Sequence, residues 1–113
     1  MTNNAKTISC VFSSEAALYL AYMPYIKGGG LFIRTIDAYE LGDQVHLSVQ
    51  LLSDLERYEI DGTVVWITPK GAQGNKPAGI GVQFIGEDSR LFCNKIETYL
   101  AGMLKSSNIT DTI

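Results

Sequence analysis

Histidine occurs once in this chain, at His46, and cysteine twice, at Cys10 and Cys93. With no CxxC pair and no His/Cys cluster, the ligand set for a structural or catalytic zinc is missing. The two cysteines sit near opposite ends, each in an apolar phase, and both read as packing residues rather than as a disulfide. Basic residues are few and scattered: nine Lys and Arg stand against twelve Asp and Glu, giving a net charge of −3 and a pI near 5.0. Phosphate recognition rests on clustered cations, so nucleic acid and anionic membrane are excluded as general partners. No run approaches the ~18 apolar residues of a membrane span, and no basic start, apolar run and small-residue cleavage site make a signal peptide. The cytoplasm is therefore the expected compartment.

What the chain does have is the make-up of an ordinary globular protein, with 46% hydrophobic and 19% charged residues. Its 113 residues suffice for one modest core and not for two. A single monomeric domain over residues 1–105 is expected, followed by a polar flexible tail over 106–113.

Along the chain, Ile8, Cys10 and Phe12 alternate with Thr7, Ser9 and Val11, which suits a half-buried strand. Ser13 and Ser14 then offer an N-cap for a short helix to about Tyr22, which Pro24 ends. Leu18, Ala21 and Tyr22 fall on one face of that helix and leave Glu15 and Tyr19 on the other. Leu31 to Thr35 reads as the next strand. Val45 to Leu51 is the clearest one, with Gly42-Asp43 before it and Ser53-Asp54 after it as turns. From Arg57 to Ile67, Tyr58, Ile60, Val64 and Trp66 share one phase. Asp61-Gly62 has hairpin chemistry, but the unbroken phase favours one long strand with Gly62 at a bend or close backbone contact. Pro69 to Pro77 has a loop composition, and Ile80, Val82 and Phe84 form another strand. Glu87 to Leu104 places Phe92, Ile96, Tyr99, Leu100 and Met103 at helical spacing, with Glu87 and Asp88 suited to the positive end of the helix dipole.

Short strands with turns at regular spacing, closed by an amphipathic helix, predict a mainly β fold. The expected form is a small antiparallel β-barrel with a short N-terminal helix and a C-terminal amphipathic helix. Closure would also remove exposed strand edges. The expected interior is Ile8, Phe12, Val45, Leu47, Val49, Ile60, Val64, Ile80, Val82 and Phe84.

Catalysis finds no converging set of groups. His46 faces outward by strand alternation, and no Ser/His/Asp, Cys/His or paired-carboxylate arrangement follows from the spacing. Leu31 and Phe32 follow the triplet Gly28-Gly29-Gly30 where a P-loop needs Lys and Ser or Thr. The chain reads as a non-enzyme with no cofactor and no metal.

Three features then stand out: Leu18 to Ile33, in which Tyr19, Tyr22 and Tyr25 lead into the glycine triplet; Gly62-Thr63-Val64-Val65-Trp66; and Gly79-Ile80-Gly81-Val82-Gln83-Phe84. Together they resemble the PilZ family, and Tyr19, Ala21-Tyr22-Met23-Pro24 and the glycines resemble its type IV pilus assembly branch. The likeness runs from Ile8 to Gly102. Ligand-binding relatives hold cyclic di-GMP with two arginines spaced RxxxR before the barrel and a (Asp/Asn)xSxxG turn, because guanidinium forks bind phosphate bidentately and stack on guanine. Here no arginine precedes Arg34. The turn maps onto Tyr25 to Gly30, with Tyr25 for the acidic or amide residue and Lys27 for the serine, and only Gly30 matches. At about 1.5–3 kcal/mol per charge-assisted hydrogen bond, losing the arginines is enough to abolish micromolar binding. Arg34 departs from the branch pattern.

The resemblance implies a non-catalytic adaptor for type IV pilus biogenesis and twitching motility. Its implied partners are the pilus extension ATPase and a degenerate EAL-domain cyclic di-GMP receptor. The alternative is a direct cyclic di-GMP sensor with an altered site. Candidate partner-binding residues are Tyr19, Tyr22, Met23, Pro24, Tyr25, Trp66 and Pro69, since Tyr and Trp are enriched at interface hot spots. Two of them carry a second reading: Tyr22 packs under the short helix by spacing, and Trp66 is core if it keeps the phase of Ile60 and Val64, or rim if its place near Pro69 decides. The glycine triplet reads as a structural turn and secondarily as a contact surface.

Overall fold

A computed structural model describes residues 6–52, 55–71 and 77–111, with side chains to residue 101. The strands are β1 (Lys6–Phe12), β2 (Gly30–Arg34), β3 (Gln44–Leu51), β4 (Arg57–Thr68) and β5 (Gly79–Ile85), and the helices are α1 (Glu15–Ala21) and α2 (Ser89–Asp111). The five strands make one sheet in the order β1-β3-β4-β5-β2, a half-barrel with one helix near each end of the chain. The mainly β expectation holds, with two corrections. The barrel does not close, because β1 and β2 end the strand order as edges. And β1 runs parallel to β3, Ile8 opposite Leu47, because Ser14 starts a helix where a hairpin would have returned the chain antiparallel. Ser14 caps α1 by accepting the Ala17 N–H at 3.1 Å.

One apolar core fills the hollow of the sheet. Val45, Leu47, Val49 and Leu51 from β3 meet Ile60 and Val64 from β4, and Ile80, Val82 and Phe84 from β5; Leu18 and Ala21 of α1 and Phe92, Ile96 and Leu100 of α2 close it from above. Ile8 and Phe12, on the edge strand, are only half-buried. Phe92 packs edge-on to Phe84, centroids 5.0 Å apart. Cys10 lies in this core, where burial pushes its thiol up to about 11 against the opposing pull of Arg57, while Cys93 is half-buried and both thiols are free.

The long-strand reading of β4 is correct, and Gly62 is where it must be glycine: a Cβ there would collide with Val82 Cγ1. The phase expected beyond it is corrected. Val64 pairs with Val82 but Trp66 with Gly81, so Val65 is an extra residue in a β-bulge. The bulge turns Trp66 out of the core phase of Ile60 and Val64. α2 begins at Ser89, so Glu87 and Asp88 lie in the turn before it, and its backbone is helical to Asp111, past the Ser106 start expected of the tail. The Ser53-Asp54 turn, residues 72–76 of the next loop and the side chain of Met103 lie outside the described residues.

The turn from α1 into β2 is pressed onto β5 and α2. Gly28 and Gly29 have φ of +82° and +84°, which side-chain-bearing residues rarely adopt. A Cβ on Gly29 would strike Cys93 Sγ and come within 3.3 Å of the Phe84 ring. The turn's carbonyls are all used: Lys27 O accepts from Gln83 Nε2 at 2.8 Å, Gly28 O from Cys93 Sγ at 3.1 Å, and Gly29 O from the Phe84 N–H at 2.9 Å.

The outer face of β3 and β4 is polar and cross-linked. His46 lies outward as expected, but it is not simply solvated: Nδ1 is 2.8 Å from Asp61 Oδ1 and Nε2 is 2.6 Å from Glu59 Oε1. Ser48 donates to Glu59 at 2.8 Å, and Arg57 donates to Ser48 Oγ at 2.8 Å and to its carbonyl at 2.9 Å. Hydrogen bonds to Asp61 and then Glu59 hold the His46 pKa above its usual 6.5. Both partners are carboxylates that only accept, so both ring nitrogens donate when His46 is protonated.

Two outcomes follow from this packing. Gly29→Ala carries both a left-handed backbone and a collision, and is expected to lower the unfolding free energy by roughly 2–4 kcal/mol. Gly42→Ala, with φ of +94° and open space around it, carries only the backbone cost of about 1–2 kcal/mol; urea unfolding of both variants measures the gap. His46 has a folded pKa raised above its unfolded value, so its contribution is fully present below about pH 6.5 and is lost as pH rises through the folded pKa. The melting-temperature deficit of His46→Gln is expected to be largest near about pH 6 and to shrink towards about pH 9. A deficit that grows with pH would show that the histidine is neutral in its carboxylate bridge.

Candidate functional site

A groove of about 470 Å³ runs between the chain following α1 and the first turns of α2. Its near wall is Tyr22, Pro24, Tyr25, Ile26 and the Lys27-Gly28-Gly29 turn, and its far wall is Ser89, Arg90, Cys93 and Glu97. α1 ends at Ala21 because Tyr22 leaves the helical region ahead of Pro24, its N–H closing on Leu18 O at 2.9 Å. Tyr22 then bridges to Leu31 of β2 and the Met23 N–H donates to Gly30 O at 2.9 Å. These bonds fix the direction in which residues 22–25 leave the fold.

Inside the groove the Tyr22 hydroxyl donates to Glu97 Oε2 at 2.7 Å. Burial, reinforced by this bond to a carboxylate, pushes the phenol well above its ordinary range. Cys93 beside it is raised too, by burial first, so neither group is an activated nucleophile. Glu97 is engaged by Tyr22, whereas Lys27 and Arg90 are both exposed and bring two cations to a groove in an acidic protein. Sequence reading treated the basic residues as scattered. The meeting of Lys27 and Arg90, 63 residues apart along the chain, depends on the docking of α2.

The other expected contact residues separate into two neighbourhoods. Tyr22, Pro24 and Tyr25 line the groove, with Tyr25 78% exposed. Met23 points the other way and is buried on the outer face of the sheet, where its sulfur and the Trp66 Cβ both cover Gly81. Met23 therefore lies beside the base of the Trp66 side chain and offers almost no surface of its own. Trp66 is 54% exposed, with its indole N–H donating to Thr68 Oγ1 at 2.8 Å, and Pro69 follows it exposed. Tyr19, on the exposed face of α1, keeps 49% of its surface. Leu20, not singled out in the sequence, is 79% exposed beside it.

The one place where carboxylates and an imidazole converge is the outer-face set His46, Glu59 and Asp61. Sequence spacing hid it, because the partners come from two strands paired in register, His46 opposite Asp61. Its groups are bonded to one another and to Ser48 and Arg57 on an exposed sheet face. Among the described residues, no group of three or more His, Cys, Asp or Glu side chains is placed to hold a metal ion. Among the described residues, no helix is long and apolar enough to cross a membrane.

The half-barrel, the helix at each end and the glycine turn over β5 bear directly on the comparison with known proteins. A family model for the PilZ domain matches residues 5–102, while no curated protein matches significantly. PilZ domains are generally non-catalytic binding domains with sensor or adaptor roles related to cyclic di-GMP. The match takes in every strand and the apolar part of α2, and the chain belongs to the PilZ domain family.

Proposed function

We propose that this PilZ domain is a protein-interaction adaptor in type IV pilus biogenesis and twitching motility. Its proposed partners are the pilus extension ATPase and an EAL-domain receptor that senses cyclic di-GMP in its place. The observation that carries this reading is the state of the turn at Tyr25 to Gly30. Where ligand-binding relatives present polar side chains to a nucleotide, this turn has Tyr25 and Lys27, and the carbonyls of Lys27, Gly28 and Gly29 are all bonded within the fold. No arginine stands upstream to grip phosphate. Tyr19, Tyr25 and Trp66 meanwhile leave large parts of their rings in solvent, and exposed Tyr and Trp are the residue types that anchor protein interfaces. The family membership supports a cyclic di-GMP-related role at the coarser level.

A second reading is a direct cyclic di-GMP sensor with an altered site, and the groove favours it, because Lys27, Arg90 and Tyr25 together offer two cations and an aromatic face to a phosphate ligand. Isothermal titration calorimetry separates the two. The adaptor reading expects no saturable heat from cyclic di-GMP at tens of micromolar protein; micromolar or tighter binding that Arg90→Ala and Lys27→Ala weaken would replace it with the sensor reading.

Partner binding is tested on the exposed rings. Tyr19→Ala is expected to leave the thermal transition within the small range of surface changes and to weaken binding to the extension ATPase about tenfold or more. Trp66→Ala is expected to weaken binding with a larger stability loss, since it removes the covered part of a half-exposed ring and the indole hydrogen bond to Thr68. Affinity and melting temperature measured on the same samples decide the matter: normal binding by both variants would move the interface to another face.

A further inference from the structure

The two edges of the half-barrel are treated differently. At β2, the Tyr22 bridge to Leu31 and the Met23 N–H bonded to Gly30 O cover the start of the edge, and Arg34 ends the strand with a charge. At β1, the Phe12 carbonyl accepts from the Leu52 N–H at 2.8 Å. In a ladder of period two, the backbone groups facing β3 are then those in step with Phe12, namely Cys10, Ile8 and Lys6. The N–H and C=O groups of Thr7, Ser9 and Val11 point away from the sheet. All three residues are exposed, Val11 to 61%, and among the described residues nothing hydrogen-bonds to them from that side.

Edges of this length are usually guarded by charge, proline, a bulge or a covering segment. From Thr7 to Phe12 there is no charged residue, no proline and no glycine, and the pairing with β3 has no bulge. The strand's single charge, Lys6, is drawn over the Tyr39 ring, 5.0 Å from its centroid. Among the described residues the β1 edge is unguarded, whereas β2 carries a covering segment at its start and a charge at its end.

We infer that the β1 edge joins a second copy of this chain by antiparallel pairing about a two-fold axis at Ser9. Thr7 then faces Val11 of the second copy, Ser9 faces its counterpart, and each of these pairs exchanges two backbone hydrogen bonds, so every outward group finds a partner. Side-chain pairs are compatible: a β-branched Thr–Val pair, Ser–Ser, Ile8 against Cys10, and Lys6 against Phe12, with no like charges opposed. The half-buried Ile8 and Phe12 gain cover on the concave side. Because the pairing is isologous, assembly closes at two copies rather than growing as a filament. A single edge strand buries less than a standard interface, so the dimer belongs to the weak, transient class and is sought at about 10–500 μM. This inference is independent of the adaptor proposal and replaces the monomer that a closed barrel would imply.

The test uses the full chain in sedimentation velocity over that concentration range, with charges introduced at the proposed axis. Ser9 is exposed, so Ser9→Lys and Ser9→Glu keep the wild-type melting temperature while placing like charges directly opposite. Wild type is expected to dimerise, each variant alone to dimerise at least about fivefold more weakly, and an equimolar mixture of the two to recover as a Lys–Glu heterodimer. A wild-type chain that stays monomeric at the highest concentration, a dimer indifferent to either variant, or a mixture that fails to recover would each overturn the proposal.

Discussion

The fold turns on the close approach of the Gly28-Gly29-Gly30 backbone to β5 and α2. There is no room for a side chain at Gly29 between Cys93 and Phe84, and a Cβ on Gly30 would lie 2.7 Å from the Val82 carbonyl. That contact lets three consecutive carbonyls bond to β5 and α2, tying together the end of α1, the start of β2 and the docking of α2. The groove is the space left beside this junction. Its walls belong to elements brought together by the glycine turn, so the positions of Tyr22, Tyr25, Lys27 and Arg90 depend on it even though none of them is a glycine neighbour in function.

An open sheet changes how the core is completed. In a closed barrel the strands alone would fill the interior; here Leu18, Ala21, Phe92, Ile96 and Leu100 supply the missing wall from two helices. The helices are therefore structural members first. Their outer faces are free to vary without disturbing the core, and Tyr19 and Leu20 occupy such a face on α1. The β-bulge at Val65 does the equivalent for β4, by moving a tryptophan from the core phase to the surface while Ile67 returns to pairing with Ile80. In both places an aromatic ring is displayed by an element whose opposite side is fixed in the core.

Much of this was legible in the sequence, and what was missed has a common cause. Period-two alternation identified β1, β3, β4 and β5, and the Ser14 cap, Pro24 and the 3.6-residue spacing of Phe92, Ile96 and Leu100 identified both helices. These are local signals carried by neighbouring residues. The bulge was not legible, because Val64, Val65 and Trp66 are all good strand residues and only the register with Gly81 and Val82 shows that one of them is extra. Parallel pairing of β1 with β3, the His46 bridge to Glu59 and Asp61, and the meeting of Lys27 with Arg90 all require contacts between distant segments. For the candidate site, exposure of Tyr19 follows from helical phase, whereas strand phase alone puts Trp66 in the core and only its place near Pro69 points to the rim; the exposure of Tyr25 and the burial of Met23, whose side chain turns to the opposite face of the sheet over Gly81, carry no local signal.

Gripping a phosphate ligand needs charged side chains held free of other partners, whereas presenting a surface to a protein needs rigid backbone and exposed rings. The proposed adaptor role rests on the second condition at this turn. Its backbone acceptors are internally bonded, its side-chain positions hold Tyr25 and Lys27, and the hydroxyl that remains nearby, on Tyr22, is committed to Glu97. Rigidity matters here because ordering a loose loop on binding would cost about 0.5–1.5 kcal/mol per immobilised side chain. A turn whose carbonyls are locked by Cys93, Gln83 and Phe84 has met its backbone cost on folding, so under the adaptor proposal only the side chains beside it remain to be ordered.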